Sequence, residues 1–240
     1  MKKAVELQNV SHRFSDNWIV EDINMTIQQA EIFGLLGPSG AGKTTIVKMI
    51  TGLLKPVKGK VYVHDEEMPS LKQMKRYGFM AQSDALYLEL TANENLNFFA
   101  SVYRLKKSER KRRIQEVMEI VGLSNHLHQT VETYSGGMRR RLSLAAALLH
   151  KPELIILDEP TVGIDPVLRQ SIWEGLNHLK QQGVTIIVTT HVMDEAEKCD
   201  RLAMLRDGRI IAMDTPFQLK TEVGTQTIED VFLHYGGGTE

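Results

Sequence analysis

With a single cysteine, Cys199, the chain cannot form an internal disulfide, and a reducing compartment is the simplest inference. Cys199 itself reads as a small, inert apolar residue. Long hydrophobic runs are missing as well. A membrane helix needs about 18 consecutive apolar residues, and the best candidates, "LSLAAALL" and "VTIIVTT", are only core-sized. If the protein serves a membrane process, the spanning part belongs to another chain. The opening "MKKAVELQNVSHRF" has lysines but no apolar run behind them, so it does not read as a secretory signal. No charge of one sign dominates either. With 29 Lys and Arg against 30 Asp and Glu, the net charge of −1 gives no argument for a nucleic-acid partner. There are no internal repeats and no low-complexity linker. The 240 residues therefore suit one sizeable core with an embedded subdomain.

What is present alternates first in the manner of strands. "DINMTI" puts Ile23, Met25 and Ile27 on one face, and "KVYV" does the same with Val61 and Val63. Short, nearly continuous apolar runs follow: "IFGLLG", "YGFMA", "LIILDEP", "TIIVTTH" and "RLAMLRDG". Most are separated by helical patterns, as parallel strands covered on both faces are. The expected fold is α/β, with a mainly parallel sheet and an antiparallel β layer at its N-terminal side. From about Asp84 to His150 the strand signal gives way to helices, which predicts a helical subdomain inserted into the core. Thr91 and Glu94 form a T-x-x-E capping box. Ile114, Val117, Met118 and Val121 recur at helical spacing, and Gly122 is placed to end that helix. The Lys106–Arg113 cluster "KKSERKRR" reads as a solvated helix face.

The chemistry begins at "GPSGAGKT", Gly37–Thr44, between the apolar strand "IFGLL" and the helical pattern "TTIVKMITGLL". That strand–loop–helix setting is the one a phosphate-binding loop requires. Along Gly37, Pro38, Ser39, Gly40, Ala41 and Gly42 the glycines let the backbone wrap so that successive N–H groups converge on phosphate oxygens. The helix start favours negative charge. Lys43 can bridge the β- and γ-phosphates, and the Thr44 hydroxyl can ligate Mg²⁺.

"LIILDEP" is the complement. Asp158 follows four apolar residues, so it sits at the carboxyl end of a buried strand, where such sheets gather ligands. It can hold Mg²⁺ directly or through water, while Glu159 can polarise a water for attack on the γ-phosphate. His191 ends "TIIVTTH" and Gln82 follows "YGFMA". A lone histidine after a strand is commonly structural, but both residues should open at the same sheet edge as Lys43 and Asp158. In "TYSGGMRRRLSLAAALL", Ser135, Gly136 and Gly137 precede a predicted helix, where free N–H groups point outward. The stretch reads equally as an ordinary helix start or as an anion site with no anion of its own.

Taken in order, the phosphate loop, Gln82, "YSGGM", "LIILDEP", "GIDP" and His191 resemble the ATPase subunit of an ATP-binding cassette transporter, over essentially the whole chain. "TVGIDP" and "THVMDEAEKCDRLAML" are most similar to the branch that drives drug, antibiotic or polysaccharide export. The resemblance implies a P-loop NTPase core that hydrolyses ATP with Mg²⁺. It implies a peripheral place on the cytoplasmic face of the membrane. It also implies a separate transmembrane permease subunit, and a head-to-tail pair in which a second ATPase subunit, as a homodimer, supplies Ser135, Gly136 and Gly137 to the neighbour's ATP. Residue by residue, Phe14 matches the aromatic that stacks on adenine, with Trp18 as a weaker substitute. Lys43, Thr44 and Thr45 bind phosphate and Mg²⁺, and Gln82 and Asp158 complete the metal site. Glu159 is the general base, His191 holds the γ-phosphate, and Asp165 lies at the seam between subunits. Met138 and Ala146 depart from the pattern, where glutamine and arginine are frequent, and neither removes a phosphate ligand. Docking of the membrane subunit is expected around Gln82–Leu90. Arg139–Arg141 are expected to anchor their helix or line the seam.

A competing reading is a soluble cassette ATPase acting on DNA, ribosomes or cofactor assembly. DNA-repair relatives insert a long coiled coil between the phosphate loop and "LDEP", which this chain lacks. Ribosomal relatives carry two cassettes, and this chain has one.

Overall fold

The computed structural model describes residues 2–83 and 85–237. Asp84, the expected start of the helical subdomain, lies outside them. The N-terminal part is a four-stranded antiparallel sheet of β1 (Lys3–Phe14), β2 (Asn17–Gln28), β4 (Lys58–Val63) and β5 (Glu66–Glu67), in the order β2-β1-β4-β5. Its register pairs Val5 with Ile27 and Val63, and Leu7 with Met25 and Val61. These six side chains are buried together because alternation sends them all to one face.

The second sheet has six strands in the order β10-β9-β3-β8-β7-β6: β3 (Ile32–Leu36), β6 (Tyr77–Met80), β7 (Leu154–Asp158), β8 (Thr185–Thr190), β9 (Arg201–Arg206) and β10 (Arg209–Asp214). The five strands from β9 to β6 run parallel, and β10 closes the edge antiparallel to β9. The central strands are apolar on both faces. In β7, Leu154 and Ile156 join the core shared with the first sheet and helix α1 (Lys43–Ile50), whereas Ile155 and Leu157 join the core beneath the other helices. Between β6 and β7 run α2 (Ala92–Val102), α3 (Lys107–Ile120) and α4 (Gly136–Leu148), and α5 (Pro166–Gln181) follows β7. The C-terminal α6 (Met193–Ala196), α7 (Pro216–Val223) and α8 (Ile228–Tyr235) share a third cluster around Leu202, Met204 and Leu219.

Both halves of the capping box form at α2. Thr91 Oγ1 accepts from Glu94 N at 3.2 Å, and Glu94 Oε2 accepts from Thr91 N at 2.8 Å. On α3, Ile114, Val117 and Met118 are buried, and Gly122 (φ 64°) follows the helix in the left-handed conformation that ends it. The basic cluster of α3 is not uniformly solvated, contrary to the sequence reading. Arg113 is buried and donates to Leu149 O at 2.9 Å and Leu148 O at 2.6 Å, satisfying carbonyls at the end of α4. Arg141 does the same for α3, donating to Val121 O at 3.0 Å and Gly122 O at 3.2 Å. The two helices thus hold each other's C-termini. Cys199 is buried, and burial pushes its thiol pKa up, as an inert core residue requires.

His150, just past α4, stacks on Tyr103 with ring centroids 3.7 Å apart. Its Nε2 lies 3.1 Å from Tyr77 O, so Nε2 carries the proton and Nδ1 is left buried without a partner. Burial holds its pKa down at about 4, against 6.5 for a free imidazole. Between these values the unfolded chain binds a proton that the folded chain refuses, so stability is complete above the upper value and drains as pH falls. The loss amounts to up to roughly 3 kcal/mol. Thermal melts from about pH 7 to about pH 4.5 should show Tm falling, and His150→Phe should flatten that slope. An equal slope in both proteins would remove His150 as its source.

Candidate active site

The parallel register decides where the chemistry gathers. β3 pairs with β8 so that Leu36 lies beside Thr190, and β8 pairs with β7 so that Thr189 lies beside Asp158. The residues that follow, Gly37, His191 and Glu159, therefore leave the sheet at one edge. Gly37 cannot carry a side chain, because a Cβ there would stand 2.4 Å from Leu205 O on β9. Gly42 has φ 100°, and a Cβ would meet Val20 Cγ1 at 2.5 Å, so the loop threads tightly past β2 into α1. Gly40 has φ 85° and nothing within 4 Å of where its Cβ would be, which leaves the mouth of the loop open.

Lys43 is 5% exposed and donates to Gly37 O at 2.6 Å and Pro38 O at 3.0 Å. Burial lowers its pKa, while Glu159 and then Asp158 pull it back up. Thr44 Oγ1 donates to Asp158 Oδ2 at 3.0 Å, and Thr189 Oγ1 donates to Asp158 Oδ1. Glu159 Oε1 lies 3.9 Å from Lys43 Nζ and 3.1 Å from His191 Nδ1. Two hard oxygen donors, Thr44 and Asp158, thus stand side by side with a cation and a histidine-paired carboxylate. No group of three or more His, Cys, Asp or Glu able to hold a metal occurs among the described residues. The set fits a Mg²⁺ that shares its ligands with substrate phosphates and water better than a closed protein cage.

Other sequence candidates fall at distinct places. Thr45 lies in the first turn of α1. Gln82 is two residues past β6, its carbonyl accepting from Arg140 at 2.9 Å. Phe14 ends β1, 52% exposed, with its ring edge-on to His12 at 4.9 Å. Trp18 is flanked instead by Arg13 at 5.3 Å and Lys58 at 5.1 Å. Ser135, Gly136, Gly137 and Asp165 are not brought to Lys43. They line a separate cavity of about 380 Å³ with Arg141, Gly163 and Ile164, and no residue of the Gly37–Thr45 loop lines it. Ser135 caps α4 by accepting from Met138 N at 3.2 Å, and Asp165 caps α5 by accepting from Leu168 N at 3.1 Å. A Cβ on Gly136 would meet nothing within 4 Å, so the first turn of α4 faces open space.

Residues 20–162 match the ABC transporter family. The chain belongs to that family. It is 43% identical over 229 residues to the linearmycin resistance ATP-binding protein LnrL of Bacillus subtilis (strain 168), covering 93% of this chain and 73% of LnrL. To the Nod factor export ATP-binding protein I of Rhizobium leguminosarum bv. viciae it is 42% identical over 238 residues, covering 98% and 75%. Among solved structures, an ATP binding subunit of an ABC transporter superposes with TM-score 0.89 at 27% identity, over 97% of this chain and 99% of that one. The dimeric cassette MJ0796, in a post-hydrolysis state bound to ADP and Pi, superposes with TM-score 0.81 at 28% identity, over 88% and 98%. This ABC protein is accordingly an ATP hydrolase of the transporter family. None of these four is a DNA-repair or ribosomal ATPase, so that competing reading has no support here. No helix among the described residues is long and apolar enough to cross a membrane.

The structure adds residues that the sequence reading passed over. Thr189 serves two partners, donating to Asp158 and accepting from Glu159 N at 3.0 Å. Glu195 is 2% exposed, accepts from Thr161 Oγ1 and from Thr190 Oγ1 (2.6 Å), and lies 3.9 Å from Arg169 Nε. It ties the chain just after Glu159 to the strand end just before His191. Its place four residues beyond His191 was visible in sequence, but nothing there marks a charge as buried. Glu195→Ala should cost roughly 3 kcal/mol in denaturant unfolding, since two buried hydroxyls and a guanidinium lose their partner. It should also slow ATP hydrolysis, and full stability together with full turnover would refute the brace.

Proposed function

We propose that the chain is the cassette of an exporter, one of a head-to-tail pair in which each ATP lies between the Gly37–Thr45 loop of one copy and Ser135–Gly137 of the other. The observation that carries this reading is the division of the site. The loop, carboxylates and histidine form one half, and an open helix N-terminus with Asp165 beside it forms the other, in a cavity of its own. An open helix start attracts phosphate, and a chain whose two phosphate-binding halves do not meet completes its site with a second copy. The relatives named for linearmycin resistance and Nod factor export favour outward transport.

Within one half-site, Lys43 neutralises phosphate charge, and Thr44 and Asp158, with Gln82, would hold Mg²⁺. When bound, Mg²⁺ would offset the charge that develops on the β- and γ-phosphates. Glu159 accepts the proton of the attacking water, and His191 orients Glu159 through their 3.1 Å contact while reaching the γ-phosphate. Phe14 offers an exposed ring to adenine. ATP stabilises only the closed pair, so hydrolysis returns the population to the open form.

A separate membrane subunit would dock where Phe79, Met80, Leu86, Phe99, Tyr103 and Ala146 line an apolar cleft of about 240 Å³, next to the exposed Tyr87, Leu88 and Phe98. An apolar cleft fringed by exposed aromatics fits a helix presented by a partner, and it would hold the cassette at the cytoplasmic face of the membrane.

Glu159→Gln should keep ATP affinity while cutting hydrolysis at least about a hundred-fold, and ATP with Mg²⁺ should then move it from monomer to dimer on size-exclusion chromatography. Wild-type turnover would exclude Glu159 as the base. Ser135→Arg should abolish the dimer while sparing nucleotide binding to the monomer, and loss of that binding would sink the shared site.

A further inference from the structure

We propose that Arg140 is the positioning residue that holds the catalytic loops to helix α4 and so sets the aim of Glu159. The proposal rests on the head-to-tail reading only for its consequence between copies. Arg140 is 7% exposed, and its guanidinium reaches four main-chain carbonyls at the end of the parallel sheet. Nη1 donates to Ala81 O at 2.7 Å and Gln82 O at 2.9 Å. Nη2 donates to Glu159 O at 2.7 Å and to Asp158 O. One planar fork thus joins the loop after β6 to the loop after β7, which no strand pairing does beyond Met80 and Leu157. Lysine has neither the plane nor the spread to do the same.

The contact to Glu159 matters because of that residue's backbone. Glu159 has φ 53°, a left-handed conformation that a non-glycine residue keeps only when its surroundings fix it. Its N–H is held on one side, donating to Thr189 O at 3.2 Å and Thr189 Oγ1 at 3.0 Å. Its C=O is held on the other by Arg140. With both ends pinned, the side chain projects to His191 and Lys43. If the Arg140 end is released, the peptide can relax towards ordinary backbone and the carboxylate loses its aim.

Arg140 also lies five residues beyond Ser135, which caps the same helix, so cradle and clamp share one rod about 7.5 Å apart along its axis. A copy whose Ser135–Gly137 turn engages the neighbour's ATP thereby fixes the carbonyls of its own Gln82 and Glu159. Each copy's catalytic loop would be set by the nucleotide on the other.

The test compares Arg140→Met, Arg140→Lys and Arg140→Gln by thermal melt, affinity for a fluorescent ATP analogue, kcat, and size-exclusion chromatography with ATP and Mg²⁺. Arg140→Met should lower kcat at least about ten-fold with nucleotide affinity changed no more than about two-fold. With Glu159 intact, it should also accumulate the ATP-bound dimer as Glu159→Gln does, an effect that mere loosening of the fold would not produce. Arg140→Lys keeps the charge and three N–H donors on a single nitrogen that cannot span both loops, so it should recover part of the rate, and more of it than Arg140→Gln, whose amide is shorter. The proposal is overturned if Arg140→Met turns over within about two-fold of the unaltered protein, or if rate, affinity and melting temperature fall together. Should Arg140→Met not fold, Arg140→Lys decides, and a Lys variant at full rate overturns the proposal. If Glu159→Gln itself stays monomeric, the head-to-tail reading fails, while the split between rate and affinity still judges Arg140.

Discussion

Everything in the site depends on the pairing of three parallel strands, β3, β8 and β7, in a register that ends them together. Leu36, Thr190 and Thr189 with Asp158 mark the last rungs. The next residue on each strand is one the proposed hydrolysis uses: Gly37, His191 and Glu159. A slip of one residue in either ladder would turn every side chain on that strand to the opposite face. The apolar layers above and below β7 resist that slip, since Leu154 and Ile156 belong to one core and Ile155 and Leu157 to the other. The catalytic geometry is in this sense a by-product of two hydrophobic cores that must both be filled.

Polar contacts then fasten the loops that the strands deliver. Thr189 serves Asp158 and the backbone of Glu159, while Glu195 serves Thr161 and Thr190. Buried arginines take up carbonyls at the helix ends and loop turns. Arg113 and Arg141 exchange the ends of α3 and α4, and Arg140 faces the sheet. In a low-dielectric interior such charged donors are strong, and each carbonyl they satisfy is one that water need not reach.

The fold class, the phosphate loop and the capping box were legible in the sequence because each leaves a local trace: alternation, glycine spacing, or a residue pair three apart. Asp158 was legible because four apolar residues before it announce a strand end. Arg113 was not, and for Arg140 and Arg141 only an anchoring role was expected and not what they anchor to, since their partners are main-chain carbonyls, which every residue carries and no sequence pattern marks. "KKSERKRR" looks like one solvated face, yet its last arginine is buried because Leu148 and Leu149 present carbonyls to it. Glu195 was hidden for the opposite reason, as its threonine partners, Thr190 at the end of β8 and Thr161 in the turn after β7, carry nothing that marks them. Ser135–Gly137 were visible as a helix start, and only the cavity shared with Gly163 and Asp165 sets them apart from Lys43.

The short edge strand β6 has a consequence for motion. It offers only Tyr77–Met80 to the sheet, and α4 lies against its backbone so closely that a Cβ on Gly78 would stand 2.1 Å from Ala147 O. Without a side chain at Gly78, the helix that bears the second half-site rests directly on the face of the outermost strand. Met80, two residues on and on that same face, shares a core with Ala147 of the helix. Any swing of α4 large enough to leave β6 would open that core to water, so the stroke of the helical segment is bounded by the need to keep it closed.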